Sequence, residues 1–226
     1  MDLASAFPPF GLRVVSGDLE LRLPDDAELT RLADVALAGL HPPERSPFLV
    51  PWNTGEPDTV RRGFLQYHWS SRGTVSPQAW ALELAVFRSG EPIGVQSVGA
   101  KAFGVTRSAG TGSWLGLPHH GQGLGKRMRL MALHLLFEGF DAADATTEAF
   151  DDNPESNGVT RSLGYAPNGV VLQDRQGAAA TENRYRMTRE AWAARPDVHR
   201  LDVTLEGVAP VRAMLEMDPP PKALQP

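Results

Sequence analysis

No cysteine occurs among the 226 residues of this chain. Disulfides, thiolate metal sites and a cysteine nucleophile are thereby excluded. No apolar run approaches the ~18 residues needed to cross a bilayer, so no membrane partner is expected. The N-terminus, MDLASAFPPFGLRVV, has no basic segment leading into a continuous apolar stretch, so it does not read as a secretory leader. The cytoplasm is the expected compartment. Positive charge is also short: 22 Lys and Arg stand against 27 Asp and Glu, a net charge of −5 that argues against general nucleic-acid binding. His119 and His120 are adjacent but have no evident co-ligands, and no metal site is expected.

The most informative absence is local. Between Glu91 and Glu138 there is no Asp or Glu, whereas Lys101, Arg107, Lys126, Arg127 and Arg129 all fall in that interval. A mildly acidic protein thus has a basic middle, either a solvated face or a site for an anion.

An apolar fraction of 42% is enough for a core without staples. The pattern predicts one α+β domain over residues 1–226, with a core at about 19–195 and a C-terminal extension at about 196–226. LELRL (19–23) alternates as a strand does, and Pro24 and Asp25 open a helix with an apolar stripe of Leu29, Leu32, Ala33, Ala36, Leu37 and Leu40. Residues 41–58 hold five prolines and no period; ordered loops of that length are usually functional. A second helix is predicted over 59–70, a hairpin with strands 80–87 and 92–98, and a strand over 111–117. A largely buried helix starts at Leu124. A strand at 145–150, a short helix within 151–165, strands near 170–173 and 183–188, a helical turn at 189–194 and an extra strand at 200–207 complete the expectation, with a frayed tail from Met217.

HHGQGLGKR (119–127) lies between a predicted strand and the buried helix. A Walker loop would need glycine at 120 and Ser or Thr after Lys126, and neither is present. A dinucleotide fingerprint wants G-x-G-x-x-G, not the G-x-G-x-G of Gly121, Gly123 and Gly125. A ligand-free connection leaves unexplained two cations in the first turn of a helix, where the dipole disfavours them. An anion bound on free N–H groups explains both the glycines and the cations. Pyrophosphate is the natural occupant.

This strand–HHGQGLGKRM–helix unit resembles the coenzyme A pyrophosphate loop of the GNAT acyltransferases, Gln/Arg-x-x-Gly-x-Gly/Ala, with His120 in place of Gln or Arg. DNPESNGVTRSLGY (152–165) resembles the Asn-x-x-Ser…Leu-Gly-Tyr segment of their RimJ/RimL-like branch. SPFLVPW, GSWLGL and DNPESNGVTRSLGY together resemble a mycobacterial member described as a succinyltransferase. The resemblance implies a mixed, mostly antiparallel sheet flanked by helices, and transfer of an acetyl or succinyl group from acetyl-CoA or succinyl-CoA to a primary amine of a small molecule or protein. It also implies that coenzyme A is held by His120, Gly121, Gln122, Gly123, Leu124, Gly125, Lys126 and Arg127. Its pantetheine arm would lie between strands 112–117 and 145–150, against free N–H groups at Trp114, Leu115 and Leu117.

Many family members place a Tyr four residues before the glycine of the Leu-Gly element as the acid for the departing thiolate; here that position is Thr160. Ser156 is the counterpart in the RimL-like branch, with helix capping as its plainer role, and Asn153 is expected to bind pantetheine or position a water, with a turn residue as its plainer role. Candidates for the base are Glu83, on a strand between Leu82 and Leu84, Glu148, and Asp174. Phe48, Pro51 and Trp52, with Glu44 and Glu56, are candidates for an acceptor wall. A succinyl carboxylate would need a cation such as Lys101 or Arg107. Two rivals stand beside this reading: a non-catalytic acyl-CoA-binding module of the same fold, and a nucleotide-binding oxidoreductase. The extra C-terminal strand puts a homodimer or higher homo-oligomer among the expectations.

Overall fold

Short alternating segments punctuated by glycine turns build a nine-stranded sheet in the computed structural model, which describes residues 1–42 and 46–218. A helical turn, α1 (Leu3–Ala6), precedes β1 (Arg13–Ser16) and β2 (Leu19–Arg22). Helices α2 (Asp26–Leu37) and α3 (Pro57–Gly73) follow, then the hairpin β3 (Ala79–Arg88) and β4 (Glu91–Lys101). A single turn, α4 (Phe103–Thr106), leads to β5 (Ser108–Leu115) and α5 (Leu124–His134). After these come β6 (Asp144–Phe150), α6 (Pro154–Ser162), the hairpin β7 (Ala166–Arg175) and β8 (Ala178–Thr188), α7 (Arg189–Ala193), β9 (Thr204–Glu206) and α8 (Val208–Met214). Glu44 lies outside the described residues, as does the tail beyond Asp218.

The strand order is β7-β8-β6-β5-β4-β3-β2-β1-β9. Every neighbouring pair is antiparallel except β5 and β6. The fold is thus a mixed α+β structure with a large, mostly antiparallel sheet flanked by helices, as expected. One strand was not foreseen: β1, which pairs with β2 and takes β9 on its outer edge. β7 is longer than 170–173 because a register shift between Pro167 and Val170 lets the strand start at Ala166.

Two cores grip the sheet. On one face Leu82, Leu84, Val98 and Leu115 meet α5, whose Leu124, Met128, Met131, Ala132 and Leu135 are all buried. Burying each of these Leu and Met side chains contributes about 1.5–3 kcal/mol, so α5 is fixed by packing despite a glycine-rich start. Beyond His134 the helix widens, and Phe140 N–H reaches back five residues to Leu135 C=O at 2.8 Å. On the other face Leu29, Leu32 and Ala33 of α2 and Phe64 of α3 pack on Ala85, Phe87 and Val95. Asp25 caps α2 as expected: its carboxylate accepts from Glu28 N–H at 2.7 Å, and the Glu28 carboxylate accepts from Asp25 N–H at 2.9 Å.

His68 of α3 is buried against Phe64, with ring centroids 4.4 Å apart. Burial, reinforced by the Arg72 charge, pushes its pKa down to about 4. The unfolded chain takes up a proton near the ordinary 6.5 while the folded chain does not, so stability falls as pH drops from 6.5 to 4. The loss expected from this group is up to about 3 kcal/mol. Urea titrations of the wild type and His68→Gln across that range check it: the variant, with nothing to titrate there, should show a flatter acid limb, and equal slopes would contradict the assignment.

Candidate active site

The parallel pairing of β5 and β6 runs only from Ser108↔Asp144 to Thr111↔Thr147. Beyond it β5 stays on β4, through to Gly94↔Leu115, while β6 continues on β8 as far as Phe150↔Glu182. The two strands therefore part, leaving a cleft lined by 112–115 and 148–150. Amide direction along β5 follows from its fixed points. Gly116 N–H donates to Ile93 C=O at 2.9 Å, and Gly112 C=O accepts from Gln96 Nε2 at 2.9 Å, both toward β4. Thr111 C=O faces the other way, accepting from Thr147 Oγ1 at 3.1 Å. Since successive peptide groups alternate, the N–H groups of Ser113 and Leu115 point into the cleft without a strand to receive them.

This corrects two of the expected donors. Trp114 N–H turns toward β4, and its ring joins an aromatic cluster on the α2/α3 face. Leu117 N–H is taken by Gly39 C=O at 2.9 Å. The Leu115 N–H does face the cleft, and Ser113 N–H is a second such donor that side-chain identity could not reveal.

At the mouth of the cleft the chain turns through residues 116–123 into α5. Gly121 and Gly123 have φ of 71° and 75°, the left-handed region that glycine alone enters freely, and a Cβ at either would meet nothing within 4 Å. Gly123 C=O accepts from both Lys126 N–H and Arg127 N–H at 3.2 Å. Among the described residues, no protein acceptor serves the N–H groups of 121 to 125. They form an open, electropositive concavity at the start of a long buried helix. Gly125 lies beside Val159 of α6, which forms the neighbouring wall.

Side chains brace this turn. His120 Nε2–H donates to Leu115 C=O at 3.0 Å; Gln122 Nε2 donates to Pro118 C=O at 2.7 Å and its Oε1 accepts from Arg88 at 2.9 Å. Arg127 is a correction: its guanidinium is committed to Asp18 Oδ1 at 2.7 Å and Ser16 C=O at 3.1 Å, on the β1–β2 turn. That pairing answers the dipole problem for Arg127 locally. Lys126 is exposed and, among the described residues, has no acidic partner, so it is the cation free to meet an anion.

Glu83 lies on the opposite sheet face from α5. It is 8% exposed and accepts from Tyr67 OH at 2.9 Å and Ser97 Oγ at 3.0 Å. Burial pushes its pKa up, against the two hydrogen bonds, which favour the carboxylate. Its register neighbours, Ser97 and then Gly112, lead directly to the cleft. The proline-rich loop closes over the same face: Phe48 packs on Trp52 at 5.3 Å and Trp52 on Trp114 at 5.7 Å between centroids.

Asn153 caps α6, its Oδ1 accepting from Ser156 N–H at 3.1 Å. Ser156 is thus not the cap but a first-turn residue, and among the described residues its hydroxyl has no hydrogen-bond partner. Asp174 is corrected: its carboxylate accepts from Gly177 N–H at 2.8 Å, closing its own hairpin turn beyond the end of β6. Glu148 is exposed and pairs with Arg184 at 3.1 Å. Lys101 and Arg107 flank α4 at the closed end of β5, the far end of the strand from the glycine turn, which removes both as partners for an acyl group in the cleft. Thr160 is fully buried and offers no acid.

Sequence reasoning counted Arg129 among the cations of the acid-free interval, either a solvated face or an anion site, without giving it a place of its own. It is buried, with Nη1 donating to Thr147 Oγ1 at 2.9 Å and Nη2 to Ser113 Oγ at 3.0 Å. Its position inside the apolar stripe of α5, three residues before Ala132, was the available signal. Asn157 was also passed over; it ties α6 to the sheet through Phe150 C=O, Asn153 C=O and Tyr185 OH, each within 2.7 Å.

A GNAT acetyltransferase domain profile matches residues 18–166. Among solved structures, RimJ of Mycobacterium smegmatis in complex with a CoA disulfide aligns at a TM-score of 0.66 and 22% identity, over 80% of this chain and 86% of that one. RimL, the ribosomal L7/L12 α-N-protein acetyltransferase in complex with coenzyme A, aligns at 0.61 and 23%, over 78% and 97%. The ribosomal-protein-S5-alanine acetyltransferase of Vibrio fischeri aligns at 0.57 and 17%, over 79% and 98%.

The turn geometry separates its glycines. Gly121→Ala and Gly123→Ala each force a Cβ into left-handed backbone and should cost about 1 kcal/mol. Gly125→Ala sits in ordinary helix with Val159 at 3.9 Å from the new Cβ, and should be neutral or stabilising by up to about 1 kcal/mol. Urea denaturation of the three variants measures this, and an equal loss at all three would refute the turn as described.

Proposed function

This chain belongs to the GNAT acetyltransferase family, and we propose that it transfers an acetyl or succinyl group from the sulfur of coenzyme A to a primary amine of a small molecule or protein. Residues 1–226 act in this reading as one acyltransferase domain. The observation that carries it is the parting of β5 from β6 beyond Thr111↔Thr147, which leaves two inward amides at one end of a cleft and a ring of unmet glycine-turn amides at its mouth. An acyl-pantetheine arm ending in a diphosphate has the shape and charge for both.

In the reaction the amine nitrogen bonds to the thioester carbonyl carbon and the C–S bond breaks. The carbonyl oxygen gains charge on the way, and Ser113 N–H and Leu115 N–H are the donors turned toward it. The attacking amine must shed a proton; Glu83 is the carboxylate for it, held by Tyr67 and Ser97 and raised by burial toward the working pH. The departing thiolate needs a proton donor, and the Ser156 hydroxyl on the first turn of α6 is available. Phe48 and Trp52 shape the wall that the amine passes. The structural neighbour named as an α-N-protein acetyltransferase of ribosomal L7/L12, with the one named for an alanine of ribosomal protein S5, makes a protein α-amine the first acceptor to assay.

Thiol release from acetyl-CoA and succinyl-CoA, followed with a panel of amines including N-terminal peptides, tests the reading. Turnover dependent on amine is expected. Coenzyme A binding without turnover across the panel would instead favour the non-catalytic module. Glu83→Gln should lower kcat by about 10²–10⁴-fold with coenzyme A affinity unchanged. The acid limb of the kcat/KM profile, displaced upward from an ordinary glutamate in the wild type, should vanish in the variant. An unaltered limb would remove Glu83 from the base role.

A further inference from the structure

The base of the cleft holds a cation that, among the described residues, has no counter-charge. Arg129 is 4% exposed, and its guanidinium bridges the two strands where they separate, bonding Thr147 on β6 and Ser113 on β5. Those hydroxyls use two of its five N–H groups. Nε is buried without a partner, and so is Oε1 of Gln96, which stands opposite Ser113 in register. Among the described residues no carboxylate pairs with Arg129, whereas Arg22, Arg72, Arg175 and Arg212 each have one. Removing a cation from water without a compensating anion is strongly unfavourable. The neighbouring hydroxyls soften that cost but do not neutralise the charge.

We propose that Arg129 selects the donor: it receives the free carboxylate of an acyl group whose other end is the coenzyme A thioester, succinyl being the four-carbon case. The inference rests on the reading that the acyl-pantetheine arm enters this cleft. Ser113 links the two ends of such a group, since its N–H faces the position of the thioester carbonyl and its Oγ holds the guanidinium. A carboxylate two methylenes beyond the carbonyl then meets the fork of Arg129 and supplies the missing charge. It takes no part in bond making: the amine still adds to the thioester carbon and the thiolate still leaves. An acetyl group is too short to reach, and a butyryl group of the same length brings no charge.

Calorimetric titration without an acceptor isolates the donor. Coenzyme A, butyryl-CoA and succinyl-CoA are each titrated into the wild type, Arg129→Met and Arg129→Lys. Succinyl-CoA should bind the wild type about ten-fold or more tighter than butyryl-CoA. In Arg129→Met the two, each read relative to coenzyme A in the same variant, should fall within about two-fold of each other; Arg129→Lys, keeping charge but not the fork, should be intermediate. Equal wild-type affinities for succinyl-CoA and butyryl-CoA would overturn the selection while leaving acyl transfer standing. Failure of coenzyme A to bind would defeat the acyltransferase reading and this inference together. Should the Met variant not fold, the wild-type comparison and the Lys variant decide.

Discussion

Past Thr111, β5 loses its parallel partner, and the peptide groups of Ser113 and Leu115 are left facing a gap rather than a ladder. A sheet does not give up such bonds without compensation, because backbone donors shut away from acceptors are costly. Here the divergence is propped by side chains: Arg129 reaches both strands, and Thr147 returns a hydrogen bond to Thr111 C=O. The gap is thus built into the packing of α5 beneath the sheet. The proposed chemistry follows from it, since the same gap admits a narrow arm and presents amides to its carbonyl.

Charge placement follows the same logic. The chain is acidic overall, yet its interval without acids runs from the start of β4 to just past the end of α5 and frames the cleft. Its cations have separate tasks. Arg127 anchors the glycine turn to the β1–β2 hairpin through Asp18, Lys126 is left exposed at the mouth, and Arg129 is sealed at the base. The two sheet faces divide the work on this account: α5 and α6 border the donor, while Glu83, Tyr67 and the loop bearing Phe48 and Trp52 border the acceptor.

Much of this could be read from the residues. The hairpin 80–98, the buried helix from Leu124 and the glycine turn were legible because alternation, a 3.6 period and closely spaced glycines are local signals. β1 was missed because four residues followed by a tight turn hold little pattern, and its outer partner β9 lies about 190 positions away. Which N–H groups are free was not legible, since a side-chain sequence says nothing of the phase of a ladder; Trp114 and Leu117 were misjudged for that reason. Asp174 looked available until its own turn claimed it. Arg129 and Arg127 show the same limit from opposite sides, as neighbouring cations with one fate decided by a distant aspartate and the other by two strands.

Amide-resolved NMR during a coenzyme A titration tests the central claim most directly. Binding in the cleft predicts large shifts for the amides of Gly121, Gln122, Gly123, Leu124 and Gly125, together with Ser113 and Leu115, and little change along β7, β9 and α8. Saturation by coenzyme A with those seven amides unmoved, or with the shifts gathered on another surface, would contradict the account.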